Sequence, residues 1–160
     1  MTLNLERALK HMSWANQEVY KLIIGLPDEA LNAYATDPDW TVGEIVRHIA
    51  SSSGGYGARL KGVDAEVLVR PKTMQELQVI AKHLLSNDAE LLELANVTDE
   101  KIAIIREGQT THWMRSTIVT QAIHHATEHR AQAVGALEAK GFKVVNLDDY
   151  DVWAYEINNG

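Results

Sequence analysis

His125 and His129 stand four residues apart within Ile118–Leu137, a stretch that otherwise reads as one apolar-faced helix. Four residues make one helical turn, so both imidazoles project from the same side. The stripe runs Ile118, Ala122, the two histidines, Ala133 and Ala136 at spacings of three or four, which predicts that the pair faces the interior. Two imidazoles among apolar side chains are costly unless each finds a partner, and one divalent metal ion satisfies both. A bare H-x3-H pattern also fits two structural histidines, each satisfied within the core. The glutamate of a metalloprotease H-E-x-x-H is missing here, so that activity finds no support.

The chain as a whole restricts what could complete such a site. There are no cysteines, which removes disulfides, thiolate ligands and cysteine nucleophiles together and leaves nitrogen and oxygen to hold a metal. The formal net charge is −7 and the basic residues are scattered, which argues against a nucleic-acid surface. No run approaches the roughly 18 apolar residues of a membrane span, and the charged N-terminus lacks a signal-peptide apolar block. The expected location is the cytoplasm. A length of 160 residues suits one domain, expected over residues 1–160.

Four long helices should position the candidates. The first is expected over Leu3–Ile24, with Leu5, Ala8, Met12, Ala15, Val19, Leu22 and Ile23 as its stripe and Gly25 and Pro27 ending it. Asp28–Trp40 reads as loop with a turn of helix. Thr41-Val-Gly-Glu44 has capping-box form and opens a second helix that continues to about Leu60. Thr73-Met-Gln-Glu76 opens a third, to about Ala95. The β-branched run Lys101–Ile105 and the turn-like Glu107-Gly108 predict a short extended or irregular segment. The last long helix is expected from Ser116 or Thr117 to Gly141, a suitable C′ glycine, and a short closing helix is expected within Asp148–Ile157. The fold class that follows is all-α, a four-helix bundle, and bundles build metal sites from facing helices.

A third ligand must come from another helix. His48 lies three residues after Ile45, at the edge of the second helix's apolar face. His83 reads as a surface residue, His11 and His112 sit near element ends, and His124 points about 100° away from His125. A lone histidine on an apolar face is more often structural than ligating. Arg130 is expected to pair with Asp151 or Glu44, and Met12 and Met114 to belong to the core. Glu128 should point away from the metal, leaving no carboxylate at the spacing of a general base.

Several segments together resemble the DinB-like superfamily, the damage-inducible and YfiT-type four-helix proteins. His11-Met-Ser-Trp14-Ala15-Asn16 resembles the family's Trp-Ala-Asn segment, and Trp40-Thr-Val-Gly-Glu44-Ile45-Val-Arg-His48 its capped second helix. His125-Ala-Thr-Glu-His129-Arg130-Ala-Gln132 resembles its most specific motif, H-x3-H-R-[GA]-Q, with Ala131 where glycine is usual. Asp151-Val-Trp-Ala-Tyr155 resembles its C-terminal segment. The resemblance implies a three-histidine metal site of His48, His125 and His129, with Trp14, Asn16 and Tyr155 as candidates for a pocket or for orienting a ligand. It also implies a homodimer, since similar proteins often pair their helices.

Three neutral imidazoles leave a divalent ion its full charge and open positions, and nitrogen ligation suits zinc or nickel. The first expectation is a metal-dependent enzyme acting on a small molecule, either a hydrolase or a transferase using a low-molecular-weight thiol. The others are a non-catalytic metal- or ligand-binding bundle of a stress response, and a metal-free interaction module.

Overall fold

Leu9, Met12, Asn16, Val19, Tyr20 and Ile23 recur every three or four residues and form the buried face of α1 (Leu5–Ile24) in the computed structural model, which describes residues 5–159. The expected start at Leu3 lies outside the described residues. A short 3-10 turn (Asp28–Asn32) precedes α2 (Val42–Lys61), and α3 spans Met74–Leu94. Both helices start where the capping residues predict. Thr41 Oγ1 accepts from the Glu44 N–H at 3.3 Å and Thr73 Oγ1 from the Glu76 N–H at 3.2 Å. The glutamates do not return the favour: Glu44 pairs with Arg47, and Glu76 accepts from the Lys72 N–H.

The segment expected to be extended or irregular is an antiparallel hairpin, β1 (Lys101–Arg106) with β2 (Gln109–Met114), in register Ile102 with Trp113 and Ile104 with Thr111. Glu107 and Gly108 adopt positive φ at its turn. To that extent the chain departs from all-α: it is mostly helical, with a small two-stranded sheet. The last long helix, α4 (Arg115–Ala139), ends in a Schellman motif. Gly141 takes φ 87°, and the Phe142 N–H reaches the Leu137 carbonyl at 3.0 Å. A 3-10 turn (Leu147–Tyr150) and α5 (Val152–Asn159) close the chain. No described helix is long and apolar enough to cross a membrane.

Each of α1 and α2 packs against both α3 and α4. One core cluster joins Val19 and Ile23 to Val42, Ile45, Leu77, Ile80, Ala133 and Leu137. The other joins Leu9 and Met12 to Leu60, Leu91, Ile118 and Ala122. The first therefore gathers the ends of α1 and α4 with the starts of α2 and α3, and the second the reverse. So α1 and α4 run one way, α2 and α3 the other. Parallel neighbours of 20 residues need a return of about 30 Å, which the segment 62–73 is long enough to make.

Between the clusters lies a polar layer with one contribution from each long helix. Asn16 Nδ2 donates to Asp88 Oδ2 at 2.9 Å, and Ser53 Oγ donates to Asp88 Oδ1 at 2.6 Å. Arg130 Nη1 donates to Asn16 Oδ1 at 2.6 Å, and Nη2 to Thr127 Oγ1 at 3.2 Å. Asn16, Ser53, Asp88 and Arg130 are all buried. Burial pushes the Asp88 carboxyl up to about 6, against the bonds from Ser53 and Asn16 and the nearby Arg130 charge. Burial likewise lowers Arg130 to about 10. The expected partners of Arg130 are thus replaced. Glu44 is held by Arg47, and Asp151 caps α5 by accepting from the Ala154 N–H at 2.8 Å.

Removing the shared amide leaves a buried carboxylate and guanidinium each short of a partner, so we predict that Asn16→Ala costs about 3–4 kcal/mol. Urea unfolding followed by circular dichroism should show a lower midpoint at unchanged slope; an unmoved midpoint would deny the layer its role.

Candidate metal centre

The antiparallel contact of α2 with α4 brings His48 opposite His125 and His129. His48 Nε2 lies 3.0 Å from His125 Nε2. One ring nitrogen from each of the three histidines lies within 4.8 Å of the others. Tetrahedral donors about 2.0–2.1 Å from zinc stand about 3.3–3.4 Å from one another, so the trio is close to the spacing such an ion requires. The three residues singled out as ligands are therefore brought together.

Their setting differs from the expectation in one respect. The buried line of α4 runs through Ile118, Ala122, Ala126, Arg130, Ala133 and Leu137. His125 and His129 flank that line on the α2 side and are only partly buried, as is His48. The apolar periodicity placed them in the core because Ile118 and Ala122 before them and Ala133 and Ala136 after them are buried, while between these the buried line runs one residue further on, through Ala126 and Arg130. A margin position suits a site that must admit a ligand, which a sealed core would not.

The rings are oriented by neighbours. Gln132 Oε1 accepts from His129 Nδ1 at 2.8 Å and from Trp40 Nε1 at 2.8 Å. That bond puts the His129 proton on Nδ1 and frees the Nε2 lone pair for a metal. The Trp40 ring stands edge-on to His48 and His129, with centroids 5.3 and 5.6 Å away. Tyr56 meets His125 edge-on at 5.7 Å. Burial, aided by the neighbouring His129 and His48, holds His125 down to about 4. His48 is lowered too, by burial and then by His129 and Arg47, with Glu44 opposing weakly. Both are thus neutral, the form in which imidazole binds a metal.

Trp40, Gln132 and Tyr56 escaped the sequence reading of the site. Gln132 carried a signal: it is three residues after His129, on the same helical face, within the motif already noted. Tyr56 lies two turns beyond His48. Trp40 had no periodicity to mark it, since it precedes the helix.

Trp14, Asn16 and Tyr155 find partners other than the imidazoles. Asn16 is the hub of the polar layer. Trp14 packs with Tyr150 and Tyr155, at centroid distances of 5.8 and 5.5 Å, and near His11. These aromatic rings fasten the C-terminal turn and α5 to α1. Glu128 is exposed, and among the described residues no carboxylate joins the three-histidine group.

Beside Tyr56 opens a cleft of about 580 Å³ between α2, the start of α4 and the hairpin. Its walls include Tyr56, Arg59, Ile104, Trp113, Ile118 and Gln121, the last one turn before His125.

A helical body with three converging imidazoles defines the class: a protein equipped to hold a divalent metal between two facing helices. The model of the DinB family matches residues 1–158, and the chain belongs to that family. No curated protein and no solved structure matches it.

Two outcomes follow. Replacing Gln132 by leucine removes the acceptor that orients His129, and metal affinity measured by chelator competition should fall about 10- to 100-fold. Protons compete with the metal for the same nitrogens. With His125 protonating only at about 4 and His48 shifted the same way, metal should stay bound at about pH 6, where ordinary histidines with pKa about 6.5 are mostly protonated. It should leave as the pH falls towards 4. Release already complete at about pH 6 would contradict these shifts.

Proposed function

We propose that this chain is a metal-dependent enzyme that acts on a small molecule through one divalent ion held by His48, His125 and His129. The observation that carries the reading is the convergence of three nitrogens, one of them with its tautomer set by Gln132, next to Tyr56, which lines the neighbouring cleft. Nitrogen-only donors favour zinc or nickel. The helical body is read as a single four-helix domain of the DinB/YfiT type, working in the cytoplasm.

Such an ion supplies Lewis-acid chemistry: it activates water near neutral pH, polarises a substrate oxygen or takes a thiol as thiolate. That chemistry fits a hydrolase or a transferase that uses a low-molecular-weight thiol. The remaining groups supply orientation and access. Gln132 holds His129, the Trp40 edge covers two of the rings, and the hairpin walls the approach. Burial raises the Tyr56 phenol above its usual range, so it stays protonated beside His125 and is available as a hydrogen-bond donor. A donor set of three among the described residues favours catalysis over a purely structural ion, because structural zinc sites are closed by four protein ligands.

Elemental analysis of untagged protein grown with zinc and nickel should find about one equivalent of metal, lost in His48→Ala and His125→Ala. Turnover in a panel of esters, amides and thiol acceptors with low-molecular-weight thiols should vanish with chelator and return with metal. Metal-free protein from replete cells would sink the proposal. A metal-loaded protein inert across the panel would leave a binding protein in place of an enzyme.

A further inference from the structure

Arg7, Arg47 and Arg115 each face a carboxylate: Glu156, Glu44 and Glu100. Arg59 differs. It is partly buried and lines the cleft, yet among the described residues no carboxylate pairs with it. Its guanidinium lies 5.4 Å from the centroid of the Tyr56 ring. A cation set against an aromatic face and facing an open cleft still has donors to give.

Its position relative to the histidines follows from helix geometry. His48, Gly55 and Arg59 fall within about 40° of one another around α2, so all three lie on one side of that helix. Arg59 is eleven residues beyond His48, but its side chain lies back along the helix. A methyl group placed on Gly55 would sit only 3.3 Å from Arg59 Nη1. Gly55 is the seat on which the guanidinium rests, one turn nearer the histidines than its own Cα. Seven residues of helix separate His48 from that seat, a span of about 10 Å. The cleft that Arg59 lines is walled by Tyr56, Ile118, Ile104 and Trp113, and the Tyr56 ring in turn meets that of His125.

We propose that Arg59 is the anion anchor of the substrate: the cleft takes a small, elongated molecule with a carboxylate at one end, an apolar body, and its reacting group about 10 Å away at the three histidines. Arg59 is the one arginine or lysine among the described residues lining the cleft, which suits a single carboxylate on an uncharged body better than a polyanion. Arg59 touches the non-reacting end and so sets specificity. The assignment rests on the three-histidine metal reading.

The test uses protein loaded with cobalt, whose thiolate charge-transfer absorbance reports a thiol arriving at the metal. Titrations compare mercaptohexanoate with mercaptohexanol, which differ only at the far end. The acid should bind about tenfold more tightly than the alcohol, the lower end for a partly exposed charge-assisted bond. Arg59→Gln should erase that ratio and leave the alcohol's affinity unchanged, while Arg59→Lys should keep part of it. Shortening the acid to mercaptoacetate, which cannot reach both ends, should also remove the advantage. No cobalt bound by folded protein would overturn the metal reading itself. Cobalt bound with no preference for the acid, or a preference that survives in Arg59→Gln, would overturn the anchor alone.

Discussion

The bridged ion pair between Asp88 and Arg130 is the constraint on which the arrangement of the helices depends. Asn16 stands between the two, donating through its amide nitrogen to one and accepting through its carbonyl oxygen from the other. A carboxamide is the neutral side chain that offers both functions at a fixed separation. Apolar contacts hold the helices together but are non-directional; α4 could slide or rotate against α1 at little cost in buried area. A buried guanidinium has no such freedom, since rotation would strand it. With Arg130 committed to α1, its neighbour His129 is turned about 100° away, towards α2. The layer thus sets the phase of α4, and that phase decides whether the imidazoles meet His48.

Burial acts with opposite sign on the two kinds of group. It raises the Asp88 carboxyl and lowers the His125 imidazole, because desolvation disfavours whichever form carries charge. In the layer the protein counters this with fixed donors. At the histidines it lets the effect stand. The result is an ionic seam through the interior and, beside it, two imidazoles, His48 and His125, whose charged forms are disfavoured.

Much of this was legible in the residues. Thr41 and Thr73 marked two helix starts by their ability to accept from a backbone N–H, and Gly141 marked an end because a left-handed residue was needed there. The histidine trio could be read because helical spacing and a motif converged on the same positions. The partners of Arg130 could not. Asn16 and Asp88 are 114 and 42 residues away in sequence, and pairing across a polar layer leaves no periodic trace. Asn16 looked like a residue for the site because its motif was recognised without its direction. His125 and His129 read as core residues because the buried position beside His129 is taken by Arg130, whose charge hid it from an apolar pattern.

The hairpin is joined to the rest of the chain at its base, where the Arg115 N–H meets the Glu100 carbonyl and the Ser116 N–H meets Asp99. It contributes nothing to the polar layer and none of the three histidines. Yet it supplies one whole wall of the cleft through Ile104, Thr111 and Trp113. Ile102 and Ile104 pack the ribbon's inner face onto the second core cluster, while the β2 side chains Gln109, Thr111 and Trp113 are exposed towards the cleft. Exchanging the exposed ribbon residues Gln109, Thr111 and Trp113 would reshape the cleft, while the helices beneath keep their register.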